Sequence, residues 1–95
     1  MNARLRLGIA VARLNGALGR SESARKQLES VLSQAHQAGF FGRELEARLA
    51  LGEIETRSGE TAAGRTRLEA LEAEARAKGF VLIARKAAAV RLANP

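Results

Sequence analysis

Apolar residues recur three and four positions apart through most of the chain, a spacing typical of the buried face of a helix. The pattern predicts five helices, at about residues 3–18, 22–38, 41–58, 62–78 and 80–93, and no strand. Glycines follow the first four as stop signals, and Ser21 and Thr61 are expected to cap the second and fourth helices. The expected buried stripe of the first helix is Leu7, Val11, Leu14 and Leu18.

The chain also resembles itself when it is shifted so that Leu5 falls on Leu45, a shift that we call the repeat offset. The matches fall mostly on glycine and apolar positions, which indicates a structural repeat. We therefore predict a single domain over residues 1–95, with one repeat at about 3–39, a second at about 40–79 and a half repeat at about 80–95. Further identical pairs include Ala10 and Ala50, Gly19 and Gly59, Leu28 and Leu68, Ala35 and Ala75, Gly39 and Gly79, and Phe40 and Phe80.

The repeated Gly-Phe pair is interpreted as a helix ending rather than a binding motif. A glycine in left-handed geometry ends a helix, and an apolar residue after it can fold back on the last turn. Gly39–Phe40 and Gly79–Phe80 then mark the ends of the two repeats.

Two segments carry a family resemblance: LALGEIETRSGE, residues 49–60, and GRTRLEAL, residues 64–71. They resemble a tetratricopeptide repeat, with Leu51-Gly52, Gly59, Gly64 and Leu68 in the family's small and apolar positions. In the first unit these places are taken by Val11-Ala12, Gly19, Ala24 and Leu28. The resemblance implies a right-handed αα-hairpin repeat of five helices, about two and a half units long.

The sequence departs from that family in several places. Arg48 and Glu55 replace its aromatic residues, the closing proline is absent, and the period is longer than the family's period of about 34. Longer repeats that end in Ala-x-x-x-Gly-Phe resemble the divergent arrays of bacterial transcriptional regulators and signalling kinases. HEAT-like or other αα-repeats are the alternative.

Composition and charge narrow the functional classes. The 95 residues include no Cys, and 16 Lys and Arg against 10 acidic residues give a net charge of +6. The basic excess lies at the two ends and the middle is acidic. We see no signal-peptide pattern and no apolar run of membrane-spanning length, and we expect a soluble, cytoplasmic protein with no membrane partner.

The residues that could carry chemistry are few. His36 is the only histidine, no Asp is present to orient its ring, and it lies three residues after Ser33 on a predicted outer helix face. We interpret it as a solvated polar residue, and the spaced Glu and Arg pairs as helix-surface ion pairs. The expectation is a protein that is not an enzyme, with no catalytic, cofactor-binding or metal-binding residues.

Arginines at both ends could contact nucleic-acid phosphates, but the acidic middle interrupts a continuous basic stripe and no aromatic residue lies among the cations. We expect no specific nucleic-acid recognition, and non-specific binding to the nucleic-acid backbone at low salt is a lesser alternative. If the family resemblance holds, the first helices of the units line a concave groove that binds a protein or peptide partner with mixed charge. The groove residues would be Arg6, Ile9 and Arg13, then Glu46, Leu49, Glu53 and Arg57, then Lys86 and Ala89.

The last predicted helix, FVLIARKAAAVRLA, is apolar on more than one side. Because terminal units of a helical array need a polar outer face, we expect either a longer array or association with another chain, including a second copy. Candidate residues for such a homo-oligomer interface are Val81, Leu82, Ala88 and Leu92. The predicted function is a non-enzymatic protein–protein interaction scaffold that is part of a larger regulatory or signalling protein. The alternative is homo-oligomerisation through the open apolar last helix.

Overall fold

The computed structural model describes residues 2–93, and this range is almost entirely helical, with five α-helices and no strand. The predicted number of helices is confirmed, and their bounds lie close to the expected ones. The helices are α1 (Asn2–Ala17), α2 (Ser21–Ala38), α3 (Phe41–Arg57), α4 (Thr61–Ala77) and α5 (Val81–Ala93). The predicted half repeat extends to residue 95, so its end lies outside the described part.

The helices form two layers. Each helix packs against the next one in the chain, α1 also contacts α3, and α3 also contacts α5, whereas α2 and α4 do not approach each other. Helices α1, α3 and α5 thus lie side by side, with α2 and α4 behind them. The molecule is a slab of 35 × 32 × 16 Å, as expected for two layers of helices.

Helix α3 contributes to both parts of the hydrophobic core. One cluster joins α1, α2 and one side of α3, and the other joins the opposite side of α3 to α4 and α5. The first takes Ala47, Ala50, Leu51 and Ile54 from α3. The second takes Leu45 and Leu49 from it.

The buried face of α1 differs from the predicted one. Leu7, Val11, Leu14 and Leu18 are exposed, and the buried residues are Leu5, Ile9 and Ala12. At about 100° per residue the two sets lie on opposite sides of the helix. Both sets have helical spacing, so spacing alone does not show which one is buried. Because α2 and α3 pack on the side of Leu5 and Ile9, the predicted buried stripe of α1 is wrong.

Burial repeats with the same offset as the sequence. Seven positions of α1 and α2 are buried, and the equivalent seven positions of α3 and α4 are buried as well. The first set is Leu5, Ile9, Ala12, Ala24, Leu28, Val31 and Ala35. The second set is Leu45, Leu49, Gly52, Gly64, Leu68, Leu71 and Ala75.

All four connections are made in the same way. A glycine with φ between 76° and 92° follows each of α1 to α4. The next residue donates its N–H to a carbonyl five positions earlier, as Phe40 does to Ala35 at 2.9 Å and Phe80 to Ala75 at 2.8 Å. The carbonyl of that same residue accepts the first hydrogen bond of the following helix. One residue therefore ends one helix and begins the next.

This arrangement corrects the predicted helix caps. The N-cap residues of α2 and α4 are Arg20 and Glu60, and neither makes a side-chain cap hydrogen bond. Ser21 and Thr61 are instead the first residues of their helices. Because a single residue separates each glycine from the next helix, the cap position falls one residue earlier than the sequence suggests.

The phenylalanines after the glycines pack on the core, as expected of a helix ending. Phe40 is partly buried against the first cluster, and Phe80 against the second. The Phe80 ring also meets Phe41 edge to face, with centroids 5.5 Å apart. The Phe80 ring therefore packs the junction between α4 and α5 against α3.

We predict that Phe80→Ala lowers the free energy of unfolding by about 2–4 kcal/mol, somewhat less than for a fully buried ring. Chemical denaturation followed by circular dichroism measures the loss. Val81→Ala, at the neighbouring exposed position, is the control and should change stability by less than about 0.5 kcal/mol. Equal losses for the two variants would contradict a packing role for the Phe80 ring.

Helices α3 and α4 approach closely at two glycines. A Cβ atom on Gly52 would come within 2.5 Å of a Leu68 methyl carbon. One on Gly64 would lie 2.7 Å from Thr56 Cγ2 and 3.1 Å from the Gly52 carbonyl oxygen. Backbone atoms give way less easily than a side-chain tip, so the crossing has no room for a side chain at Gly64.

We therefore expect Gly64→Ala to destabilise the protein by about 1–3 kcal/mol, even though alanine is the better helix former. Gly42→Ala is the matched control, since its Cβ would meet only Phe80 Cε1 at 3.7 Å. That variant should be unchanged or up to about 1 kcal/mol more stable. Thermal and urea unfolding of both variants measure the difference, and a stabilised Gly64→Ala would disprove the close crossing.

Candidate functional site

A groove crosses the layer formed by α1, α3 and α5. Its cavity has a volume of about 600 Å³ and is lined by all three helices. The lining residues are Ile9, Arg13, Glu46, Leu49, Glu53, Leu82, Ile83, Lys86, Ala89 and Val90.

Seven of the nine predicted groove residues meet at this cavity: Ile9, Arg13, Glu46, Leu49, Glu53, Lys86 and Ala89. Arg57 lines a neighbouring cavity with Glu53, Ala89 and Val90. Arg6 is exposed and does not line the cavity. The three repeat-related helices thus converge at the groove.

The sequence reasoning missed three residues of the α5 wall. Leu82 was predicted to lie at an oligomer interface, and Ile83 and Val90 were not among the predicted groove residues. In the structure Ile83 and Val90 are partly buried against the second core cluster, yet they still line the groove. Their helical spacing could have identified them, because they flank Lys86 and Ala89 on the same side.

The groove floor is apolar. Ile9 and Leu49 are almost completely buried, and Ala89 adds an exposed methyl group from α5. At the edge of the groove Leu82 is 64% exposed. An apolar floor beside an exposed leucine can accept a hydrophobic side chain from a partner.

The charged groups of the groove are mostly paired. Arg13 on α1 donates a hydrogen bond to Glu53 on α3 at 2.9 Å, and Arg57 approaches the other oxygen of Glu53 at 3.5 Å. Glu46 is bound by Arg43 one turn earlier. Lys86 has no ion pair among the described residues, so this cation remains open to an anionic group of a ligand.

Comparisons with models of known protein families, with curated proteins and with solved structures gave no match. The groove must therefore be interpreted from its own geometry.

An ion-pair network joins the α5 wall of the groove to α4. Arg91 on α5 donates a hydrogen bond to Glu72 on α4 at 3.0 Å, and Arg76 reaches the other Glu72 oxygen at 3.3 Å. The hydrogen bond from Arg91 is the main cause that lowers the pKa of the Glu72 carboxyl, and it outweighs the opposite effect of burial. Arg76 lowers this pKa further.

His36 lies outside the groove and is exposed. Its Nδ1 atom lies 3.2 Å from Glu44 Oε1 on α3, a partner that sequence reasoning did not anticipate. Ser33 lines the same shallow cavity, but no hydrogen bond joins its hydroxyl to His36 among the described contacts. The described residues contain no cluster of three or more potential metal ligands. None of their helices is long and apolar enough to cross a membrane.

The proposed oligomer residues of α5 are mostly at the surface. Val81, Leu82 and Leu92 are exposed, and Ala88 is half-buried. Leu82 belongs to the groove as well. A second copy that covered this residue would therefore also reach the groove.

We predict that Glu72 titrates below the ordinary range of a glutamate. A carboxyl whose pKa is lowered by folding stabilises the protein above its unfolded pKa and loses that contribution as the pH falls through the lowered value. Carbon-detected NMR titration of the side chain measures the midpoint. Arg91→Gln should raise it, and Arg76→Gln should raise it less; an unchanged midpoint in Arg91→Gln would contradict the assignment of the cause.

Proposed function

We propose that the protein is a non-enzymatic interaction module that binds a protein or peptide segment in the groove between α1, α3 and α5. The observation that carries the proposal is the convergence of three repeat-related helices on one cavity of about 600 Å³. This cavity has an apolar floor, paired charges on two walls and an unpaired lysine on the third.

We further propose that the fold is a right-handed αα-hairpin repeat of the tetratricopeptide type. Three observations support this: the shared helix lengths and glycine turns, the burial pattern that recurs with the repeat offset, and the contacts of α3 with both α1 and α5. Such arrays use the concave face of their first helices as an extended binding surface. The lining of the groove by α1, α3 and α5 supports this proposal.

The groove favours a particular kind of ligand. An aliphatic side chain would fit between Leu49 and Leu82, and an acidic residue next to it would reach the amino group of Lys86. The Arg13–Glu53 pair can exchange partners with polar groups of the ligand without leaving a charge buried alone, because both side chains are partly exposed. An extended or helical segment with an aliphatic residue beside an acidic one meets these requirements.

A selection from a random peptide library, followed by fluorescence anisotropy with the selected peptides, tests this proposal. Ala89→Arg fills the groove and should weaken binding at least tenfold, a loss of about 1.4 kcal/mol. Ala70→Arg, on the exposed side of α4, is the matched control and should leave binding unchanged. Lys86→Glu should select against acidic peptides. Binding that survives Ala89→Arg would contradict the groove as the site.

Homo-oligomerisation through α5 is the second candidate, and the exposure of Val81, Leu82 and Leu92 favours it. The charged residues of α5, in contrast, are all cations, namely Arg85, Lys86 and Arg91. Two α5 helices would therefore repel each other at low salt, and association should strengthen as ionic strength rises. Light scattering across protein and salt concentrations distinguishes this function from peptide binding, which needs only the monomer.

A further inference from the structure

The outer side of α1 carries the largest continuous set of exposed aliphatic residues among the described helices. We define the α1 stripe as Leu7, Val11 and Leu14 of α1 together with Leu18, which directly follows the helix. Val11 is 40% exposed, and the three leucines are 59–64% exposed. They follow one line along the helix, on the side opposite to Leu5 and Ile9. An exposed apolar patch of this kind is typical of an interaction surface.

The repeat indicates what kind of surface covers such a stripe. The repeat offset relates Leu7, Val11 and Leu14 to Ala47, Leu51 and Ile54 of α3. These α3 residues are at most 4% exposed, and they are buried in the first core cluster against residues of α1 and α2. In the second unit, the helices of the first unit therefore cover the face of α3 that corresponds to the α1 stripe. A helix is therefore the element that fits the α1 stripe.

The charges around the α1 stripe indicate which charges its partner carries. Arg4 lies one turn before Leu7, and Arg20 lies just after Leu18, so a cation stands at each end of the stripe. Arg6 is another cation of α1, and α1 contains no acidic residue. Among the described residues, Arg4, Arg6 and Arg20 take part in no ion pair. A partner with acidic residues beside its apolar face complements this pattern.

A second copy of the chain does not meet these conditions well. An antiparallel pair of α1 helices would place Arg4 of one copy near Arg20 of the other at both ends. Packing of α1 on α5 would join two helices that each carry only cations. Both arrangements bring like charges together, which opposes association.

We infer that the α1 stripe is a second docking surface, and that its partner is an acidic amphipathic helix of another protein. Leucine-sized side chains of the partner pack between Leu7, Val11 and Leu14, and its glutamates or aspartates pair with Arg4 and Arg20. The stripe lies on a different face of α1 from the groove residues Ile9 and Arg13. The two surfaces are therefore independent, and a substitution can abolish binding at one without affecting binding at the other.

The test uses the whole chain and two synthetic helices of about 25 residues, long enough to be helical in water. Both carry leucines at helical spacing, flanked by glutamates in one peptide and by lysines in the other. Anisotropy should show the glutamate peptide binding at least about tenfold tighter, with the preference falling as salt rises. Arg4→Glu combined with Arg20→Glu should reverse the preference.

Variants of the chain locate the contact. Leu14→Gln should weaken the glutamate peptide at least about fivefold with little change in melting temperature, because Leu14 is already exposed. The groove variant Ala89→Arg should bind this peptide as the unmodified chain does. If Ala89→Arg abolishes binding and Leu14→Gln does not, the peptide occupies the groove and the inference is wrong.

Two further results would overturn the inference. One is the absence of glutamate-peptide binding, or equal binding of the two peptides. The other is a dimer of the unmodified chain in light scattering that Leu14→Gln converts to monomer, since the stripe would then be covered by a second copy. None of these results would change the binding of library-selected peptides in the groove, so this inference can be wrong while the proposed function holds.

Discussion

The burial of α3 on two sides is the constraint on which the rest of the structure depends. Leu45 and Leu49 face the second core cluster, and Leu51 and Ile54 face the first. The side chains of α4 can reach their cluster only because Gly52 and Gly64 let the two helices cross closely. A shift of α3 would open both clusters together, so the positions of α1 and α5 are linked although these helices do not touch.

Much of this fold could be predicted from the sequence, because glycine turns and burial both recur with one offset. The buried side of α1 could not be predicted in this way. A helix with two apolar sides gives the same spacing on each, and only the placement of the neighbouring helices decides which side is buried. The caps failed for a local reason: Ser21 and Thr61 look like cap residues, but the short turn makes Arg20 and Glu60 the cap positions.

The groove could also be predicted only in part from the sequence. Its residues on α1 and α3 follow from the repeat, because equivalent positions of parallel helices face the same way. The pairing of Arg13 with Glu53 joins equivalent positions of the two units, and it depends on the side-chain geometry between two helices rather than on spacing within one. Ile83 and Val90 were missed for another reason: each packs against the core and also lines the groove, and an apolar residue at helical spacing predicts only the first of these roles.

The two ends of the helical layer differ chemically, and this follows from the repeat positions themselves. Where α1 and α3 have Leu5 and Leu45 to receive the helix that follows them, α5 has Arg85. Where they have the small residues Ala12 and Gly52, α5 has Leu92. A cation and a bulky side chain at these places would prevent a further helix from packing as α2 packs on α1 and α4 on α3. The α1 end presents the opposite chemistry, an aliphatic face at positions that α3 buries against its neighbours. Packing of a further helix is therefore favoured on the aliphatic face of α1 and opposed on α5.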